Sequence, residues 1–460
     1  MIAFSLFETH ISSLQQQVEQ ALSQHDFDAL LIGSGHTKKH FLDDTHYAFR
    51  ANPHFVRWVP FLHESADCWL LIQKGKKPAL YIYAPNDFWY QSTPLPVDEW
   101  AGLFDITLVT DPAPALMTQE NQRYAVVAEE PLHNFSNKFE CNPDVLLNTL
   151  HFDRAIKTSW EIECIFRANC CAVKGHAAAK ALFQKSIVPS SESSLTERAL
   201  HNRYLQATGH LDHELPYNVI MALNENAATL HYQHKSRSPL PVARTLLLDG
   251  GASYLGYAAD ITRTWSASAV DMPQAEQAIA TVFAAIVKAV ERLQLSVIEQ
   301  IKPGLDYIEL HRLAHQYLVD VLLSTKLLAQ CPPTDEVQEV ITRTFFPHGL
   351  GHFLGIQTHD VAGFQQDSQG TVKAPPASHP FLRLTRVLEE GMVLTVEPGL
   401  YFIPSLLEKL RADAAGSFVN WDLVDQLKPW GGVRIEDNIL VTATGARNLT
   451  REAFALLDAN

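Results

Sequence analysis

Two aspartates on a predicted β-hairpin are the first residues in this chain whose types and spacing suggest chemistry. In LLLDGGASYLGYAADITRTW, residues 246–265, one apolar run ends in Asp249 and a second run carries Asp260. With residues 255–256 at the bend, Asp260 falls opposite Gly251. Asp249 is then its diagonal neighbour, so both carboxylates lie on one face. Two like charges this close need a cation between them. Alternatively, both are strand-end aspartates that face water or cap backbone, and the hairpin alone does not decide.

Three histidines in a glycine-rich segment are the next candidate ligands. HGLGHFLGIQTHD contains His348, His352 and His359, with glycines between them. Such a segment makes a poor helix and a poor core strand, and glycine lets the backbone approach a ligand closely. A single histidine is more often a satisfied polar residue, but three in this setting favour a site, because histidine is the commonest nitrogen ligand and proton shuttle.

Two glutamates follow in strand-like segments. Glu397 ends the apolar run VLTV and precedes a Pro-Gly turn, so we expect it to be buried or nearly so and to need a partner or a metal. In GGVRIEDNILVT, Arg434 and Glu436 are two apart and share a strand face. The alternative for that pair is an ordinary ion pair on an exposed face. His231, in AATLHYQH, is a weak signal by itself.

Taken together, two aspartates, two glutamates and one histidine form a hard, oxygen-rich set of ligands. This set suits two divalent ions such as Mn²⁺, with Co²⁺ or Zn²⁺ as substitutes, better than one tetrahedral zinc with sulfur ligands. Two metals roughly 3.5–4 Å apart can share a water and lower its pKa toward neutrality. The set therefore predicts a metal-bridged hydroxide that attacks a carbonyl.

In this order and within these motifs, the residues resemble the metallopeptidases of the pita-bread fold, which include methionine aminopeptidase, aminopeptidase P and prolidase. The resemblance covers essentially the whole chain. It is most specific for bacterial Xaa-Pro dipeptidases (prolidases), a group that includes the organophosphorus acid anhydrolases. The segments that carry it are NENAATLHY, HGLGHFLGIQTHD, TVEPGLYF and GGVRIEDN, with HFLDD at 40–44 and NPHFVRWVPF at 52–61.

The resemblance implies a complete catalytic set. The implied metal ligands are Asp249, Asp260, His352, Glu397 and Glu436, with Asp260 and Glu436 bridging the two ions. Glu397 would also accept a proton from the bridging water. His359 would steady the tetrahedral intermediate, and Arg434 would lie beside the site.

The resemblance also implies substrate contacts. The residues are His231, His348, Arg383, Tyr217, Leu382 and Asp44. Arg383 would bind the free C-terminal carboxylate of a dipeptide, a task that suits a bidentate guanidinium; otherwise it is a surface charge. Asp44 would reach the substrate amine in the neighbouring subunit of a homodimer. Thr358 stands where relatives commonly have valine, which leaves the preference of that pocket open.

The implied function is hydrolysis of the imido bond of dipeptides that end in proline, with organophosphorus triester hydrolysis as a side activity. An aminopeptidase P that takes longer peptides is the alternative within the class. An inactive pita-bread module that binds partners is the alternative outside it, and the five competent ligands disfavour it.

Composition limits the partners and the compartment. A net charge of −15 and a pI near 5.7 argue against nucleic acid and against an anionic membrane surface. We see no signal peptide and no apolar run that would span a bilayer. The six cysteines have no framework spacing, which favours buried free thiols in a reducing cytoplasm.

The secondary-structure elements that would position these residues belong to two domains, with a boundary near residue 155. Residues 1–155 read as a small α/β domain, with a helix at 9–25 and five short strands on a mixed sheet; residues 156–460 read as the α+β pita-bread domain. The second domain should open with helices at 159–185 and 191–207, the latter capped by Ser191 or Ser193. The aromatic-rich segment 41–64 is either local core or a surface for another subunit or a ligand.

Overall fold

The structure is a computed structural model, and it describes residues 2–89, 91, 93–113, 118–119, 122–129, 138–187 and 195–459. Its chain divides into two compact units. The first unit comprises Met1–Cys164, Leu255–Tyr257 and Gln365–Val372, and the second comprises Ile165–Tyr254, Ala258–Phe364 and Lys373–Asn460. The division of the chain into domains at residue 155 remains our proposal.

The first unit is built on a six-stranded mixed sheet with strand order β4-β3-β2-β1-β5-β6. Its strands are β1 Ala29–Gly33, β2 Trp69–Gln73, β3 Ala79–Tyr83, β4 Asp105–Val109, β5 Tyr124–Val127 and β6 Phe139–Cys141. Its helices are α1 Phe4–Gln24, α2 Pro53–Trp58 and α3 Asp144–Arg154. All five predicted strands are confirmed to within about a residue, because each is a short apolar run between turn residues. The sixth was missed, since its three residues carry no such pattern.

The second unit combines small antiparallel sheets with long helices. The strands are β7 Ile220–Leu223, β8 Thr245–Asp249, β9 Ser253–Tyr254, β10 Tyr257–Ala258, β11 Thr262–Ser266, β12 Val393–Val396, β13 Gly399–Tyr401, β14 Gly432–Arg434, β15 Asp437–Thr442 and β16 Gly445–Asn448. They pair in the orders β11-β8-β7, β12-β15-β16 and β13-β14. The helices are α4 Ser159–Ile187, whose residues up to Cys164 belong to the first unit, α5 Glu197–Thr208, α6 Gln277–Ile298, α7 Tyr307–Ser324, α8 Asp335–Phe345, α9 Pro404–Ala412, α10 Trp421–Leu427 and α11 Leu449–Asp458.

Helix α5 begins later than predicted. Its cap is Thr196, whose hydroxyl accepts a hydrogen bond from the backbone N–H of Ala199. Glu197 lies in the first turn. Ser191 and Ser193 lie outside the described residues.

The register of the central hairpin is confirmed. Asp249 pairs with Thr262, and the backbone bonds Gly250 N–H to Ile261 O and Ala259 N–H to Ala252 O continue the same register, so Asp260 falls opposite Gly251. At the bend, Leu255 and Gly256 both have positive φ, of 50° and 82°, as a two-residue hairpin turn of this kind requires. A Cβ at Gly251 would lie 1.9 Å from the carbonyl oxygen of Ala259, which explains why glycine stands there.

The aromatic-rich segment 41–64 contains both alternatives. Phe55 and Trp58, on α2, are buried in the core of the first unit. In contrast, Phe41 and Leu42 are 90% and 91% exposed. The first part of the segment is therefore a surface, and the second part is core.

Two further expectations concern cysteines and membranes. All six cysteines lie outside disulfide bonds. Only Cys68 and Cys164 are buried, whereas Cys141, Cys170 and Cys171 are half-buried and Cys331 is exposed, so the prediction of buried thiols is confirmed for two of the six. Among the described residues, the helices are too short or too polar to cross a bilayer.

Candidate metal centre

The five predicted ligands come from separate segments of the second unit. Asp249 ends β8, Asp260 precedes β11, Glu397 follows β12 and Glu436 lies between β14 and β15. His352 comes from the glycine-rich segment, which pairs with β12 through a bridge from residue 353 to residue 394.

The ligand atoms of these residues converge. One oxygen or nitrogen from each of Asp260, His352 and Glu436 lies within 4.8 Å of the other two. His352 Nε2 is 3.4 Å from Asp260 Oδ2 and 3.6 Å from Glu397 Oε1. Asp260 and Glu436 are buried, which excludes the alternatives of a water-facing aspartate and of an exposed ion pair.

Asp249 is fixed by two donors. The Tyr217 hydroxyl donates to its Oδ1 at 2.7 Å, and Arg434 Nη2 donates to its Oδ2 at 2.6 Å. Tyr217 is therefore a positioning residue for Asp249 as well as a candidate pocket wall. Arg434 is held in turn, because its Nη1 donates to the Tyr401 hydroxyl at 3.0 Å.

Thr262 links several of these groups through one buried hydroxyl. It donates to Glu436 Oε2 at 2.6 Å and accepts from Arg434 Nε at 3.2 Å. Its backbone oxygen accepts from the N–H of Glu436 at 3.0 Å. The sequence reasoning missed Thr262, although it faces Asp249 across the hairpin and this position could be counted from the predicted register.

His352 is oriented by its own backbone neighbourhood. Its Nδ1 bonds to the carbonyl oxygen of Phe353 at 2.9 Å, which leaves Nε2 to face the carboxylates. Two bonds tie its backbone to Thr395, at 3.1 Å and 2.9 Å. A Cβ at Gly351 would lie 2.1 Å from the carbonyl oxygen of Thr395, so the close pairing of these segments requires this glycine.

Two amides support the carboxylates from behind. The Asn438 side chain accepts from the N–H of Asp260 at 3.0 Å and donates to its carbonyl oxygen. Gln294, a fully buried residue of α6, donates to the carbonyl oxygens of Val396 at 3.0 Å and Ile435 at 3.4 Å. These carbonyls belong to the residues just before Glu397 and Glu436. The sequence analysis missed both residues; for Gln294, a glutamine among the apolar residues of the buried helix face is the signal that could have indicated it.

Burial changes the pKa values of three carboxyl groups at the site. Burial raises the pKa of Glu397 to about 7, against the opposing charges of His352 and Arg434. Burial, reinforced by the neighbouring carboxylates, raises the pKa of Glu436 well above its ordinary value. Burial also raises the pKa of Asp249, and Arg434 opposes that shift. Four crowded carboxylates and one imidazole fit divalent cations, which prefer such oxygen-rich donors.

His348 forms a hydrogen-bonded chain beside Glu397. Since the Tyr401 hydroxyl accepts from Arg434, it is free to donate to His348 Nε2, 2.8 Å away. Nδ1 of His348 then carries the proton and donates to the carbonyl oxygen of Gly349 at 2.8 Å. Glu397 Oε2 lies 3.7 Å from the same nitrogen. Burial and the charge of Arg434 lower the pKa of His348 to about 3, so its ring is neutral.

His359 and His231 are exposed residues of the same region. The His359 ring meets the His352 ring edge-on, with centroids 4.4 Å apart. Partial burial lowers the pKa of His359 to about 4, and the charges of His352, Arg383 and His231 add to this shift, which places all three near it. Next to it, the Thr358 hydroxyl is buried without a hydrogen-bond partner among the described residues.

The segment 381–383 packs against the glycine-rich segment. A Cβ at Gly349 would lie 2.8 Å from Leu382 Cα and 3.4 Å from Arg383 N. Leu382 is fully buried, whereas Arg383 is exposed. Asp44 is an exposed residue of the first unit, so its suggested role stays a prediction.

The chain is similar to known proteins along nearly its whole length. Residues 163–443 match the metallopeptidase family M24, and residues 5–152 match the N-terminal domain of Xaa-Pro dipeptidase. The chain therefore belongs to the metallopeptidase family M24, in the branch with the Xaa-Pro dipeptidase N-terminal domain. It is 41% identical to the Xaa-Pro dipeptidases of Pseudoalteromonas atlantica and Aeromonas hydrophila, covering 97% of this chain and 98% of each relative.

Solved structures show the same fold. Proline aminopeptidase P II from Yersinia pestis superposes with a TM-score of 0.67 at 21% identity, covering 97% of this chain and 99% of that one. An Escherichia coli aminopeptidase P variant in complex with substrate also gives 0.67, at 23% identity and with 100% and 99% coverage. The predicted fold class, a pita-bread α+β domain with a smaller N-terminal α/β domain, is confirmed.

Proposed function

We propose that this protein is a metal-dependent Xaa-Pro dipeptidase that hydrolyses the imido bond of dipeptides ending in proline. One observation carries the proposal: the side chains of Asp260, His352, Glu397 and Glu436 converge beside Asp249, which is held in place by a hydrogen bond from Arg434. Full-length similarity to proteins named Xaa-Pro dipeptidase supports the substrate class.

The cofactor we propose is a pair of divalent ions, Mn²⁺ in the cell, with Co²⁺ or Zn²⁺ as substitutes. The ions would be held by Asp249, Asp260, His352, Glu397 and Glu436. When bound, they would lower the pKa of a water between them and polarise the substrate carbonyl.

Glu397 is the group we assign to proton transfer. The imido nitrogen carries no hydrogen, so it must gain a proton before it can leave. Glu397 Oε1 lies 3.6 Å from His352 Nε2, and Glu397 Oε2 lies 3.7 Å from His348 Nδ1. This carboxylate is therefore at the centre of the cluster. It can accept a proton from water and pass it to the departing proline nitrogen.

The remaining polar side chains have roles around the substrate. We assign His359 to the developing oxyanion, since it stands against the ring of His352. His231 and His348 contact the substrate. Arg434 neutralises Asp249 and holds it in place.

Arg383 is the group we assign to the substrate carboxylate. It is exposed, and its backbone packs beside His348-Gly349 on the rim of the site. A guanidinium can bind a carboxylate through two parallel hydrogen bonds. A longer peptide has no free carboxylate at that position. Leu382, the preceding residue, is buried and anchors this segment against Gly349.

The decisive assay compares Ala-Pro with Ala-Pro-Ala on enzyme stripped by a chelator and reloaded with Mn²⁺. We expect cleavage of the dipeptide that depends on the added metal. Cleavage of the tripeptide alone would favour an aminopeptidase P instead. An organophosphorus triester, tested in the same series, would show whether the proposed side activity shares the metal requirement.

For assembly, we propose a cytoplasmic homodimer in which exposed Phe41 and Leu42 are covered by the second copy. An exposed apolar pair next to Asp44 fits a subunit contact. Asp44 would then approach the substrate amine in the neighbouring subunit.

A further inference from the structure

A second group of histidines lies in the second unit and is not part of the proposed centre. His311 and His315 are four residues apart on α7, so they point from the same face of that helix. His379 joins them from the segment that leads to Arg383. The ring centroids are 4.4 Å to 4.7 Å apart, and one nitrogen from each ring lies within 4.8 Å of the other two.

The nitrogens of this cluster are poorly satisfied. His311 is fully buried, and neither of its nitrogens has a hydrogen-bond partner among the described residues. Nδ1 of His315 bonds to the Thr342 hydroxyl at 3.0 Å, but within the same described part of the chain its buried Nε2 has none. Buried polar groups are nearly always paired, so these atoms point to a ligand that the chain does not supply.

A shared proton does not explain the cluster. Burial, with repulsion from the other imidazoles, lowers the pKa of His311 well below its ordinary value and that of His315 to about 3. Burial also lowers the pKa of His379. Lowered pKa values favour the neutral form of the ring, which is the form that binds metals.

We propose that His311, His315 and His379 bind one transition-metal ion of the Zn²⁺ class. Three imidazoles and few carboxylates favour Zn²⁺, Co²⁺, Ni²⁺ or Cu²⁺ over Mn²⁺, so the site has a different metal preference from the oxygen-rich centre.

Glu339 completes the arrangement. Its Oε1 lies 3.2 Å from His379 Nε2, the contact through which a carboxylate orients a ligating imidazole. Nδ1 of His379 would then be the ligating atom. The ion would join α7 to the segment of His379 and, through Glu339, to α8.

The site has a structural role. The backbone N–H of Leu382 donates to the carbonyl oxygen of His379 at 3.1 Å, and the N–H of His379 donates to that of Pro376 at 2.8 Å. An ion on His379 would therefore fix the turn that precedes Arg383. Three histidines fill three of the four positions of a tetrahedral Zn²⁺ ion, so a water or another ligand would take the fourth. The structural role therefore rests on the contacts of His379 with the turn.

The test measures bound zinc per chain. Purified protein is stripped with a chelator, incubated with Zn²⁺ alone, desalted and analysed by mass spectrometry of metals. We expect His379→Gln and His311→Phe to bind one ion fewer than the unmodified chain. The exposed His213→Ala is the matched control and should bind as many as the unmodified chain.

A further variant separates the two sites. Asp260→Asn should lose metal from the proposed dinuclear centre and keep the histidine-bound ion, so failure of one proposal leaves the other measurable. Co²⁺ provides a second readout, because its visible spectrum depends on ligands and geometry. The absorption band of the histidine-bound Co²⁺ should disappear in His379→Gln and persist in Asp260→Asn. Equal zinc in the unmodified chain, His379→Gln and a folded His311→Phe would overturn the proposal. If His311→Phe does not fold, the less buried His379→Gln decides alone.

Discussion

Replacing Thr262 with valine removes the hydroxyl that connects Glu436 and Arg434 in the proposed metal centre. Valine keeps the β-branched shape, so the strand and its packing should persist. Glu436 would lose a donor at 2.6 Å, and Arg434 Nε would lose an acceptor at 3.2 Å. Both groups are buried, so water cannot replace the lost bonds easily.

The size of the effect follows from the charge of these groups. A hydrogen bond to a charged group contributes about 1.5–3 kcal/mol. Loss of a partner that orients a metal ligand typically weakens metal binding by about 10- to 100-fold. That range corresponds to about 1.4–2.7 kcal/mol, which agrees with the loss of the bond to Glu436 alone. The bond to Arg434 should affect folding stability instead.

The assay is a titration of the stripped enzyme with Mn²⁺, followed by activity on Ala-Pro. Thr262→Val should need about 10- to 100-fold more metal for half-maximal activity. Thr262→Ser keeps the hydroxyl and should stay near the unmodified enzyme. An unchanged metal requirement in Thr262→Val would refute the assignment of Thr262 to the centre.

Three further predictions concern the substrate, the first unit and the assembly. Arg383→Ala should raise the KM for Ala-Pro by about 10-fold or more, because one charged contact is lost. The difference between the KM values for Ala-Pro and Ala-Pro-Ala should become smaller. An unchanged KM for Ala-Pro would show that Arg383 is a surface charge. Burial alone would raise the pKa of Glu161, but Arg57 and other nearby cations lower it to about 2. Because that pKa lies below the ordinary 4.5, its stabilisation of about 3 kcal/mol is present above pH 5 and is lost as pH falls toward 2. The free energy of unfolding, measured with denaturant at each pH, should fall in the unmodified chain as the pH falls from 5 toward 2, and should fall less in Glu161→Gln. An equal pH dependence in both chains would contradict the prediction. If the chain forms the proposed dimer, Phe41→Asp with Leu42→Asp should convert it to monomer in analytical ultracentrifugation, and a persistent dimer would place the interface elsewhere.

The sequence predicted what depends on local pattern. Alternating residue types and a two-residue bend were enough for the hairpin register, because period-two alternation leaves few registers that keep Asp249 and Asp260 on one face. The long helices predicted at 9–25 and 159–185 were likewise found, whereas α5 starts later than predicted, with Thr196 as its cap.

Contacts between distant segments could not be predicted where the family resemblance did not imply them. Thr262 meets Glu436 across 174 residues of chain, and nothing in either segment specifies that pairing. The same holds for the histidine cluster. The spacing of His311 and His315 is visible in the sequence, but His379 joins them only through the fold.

Gln294 has a consequence for the order of folding events. Its amide reaches Val396 and Ile435, 102 and 141 residues further along the chain. The two glutamates that follow those residues are at their final spacing only after α6 has docked on both strands. Contacts of such long range form late, since the loops between them must close first. A refolding chain should therefore acquire Mn²⁺ only after its helical content has recovered, so the uptake of metal would report the completion of the second unit.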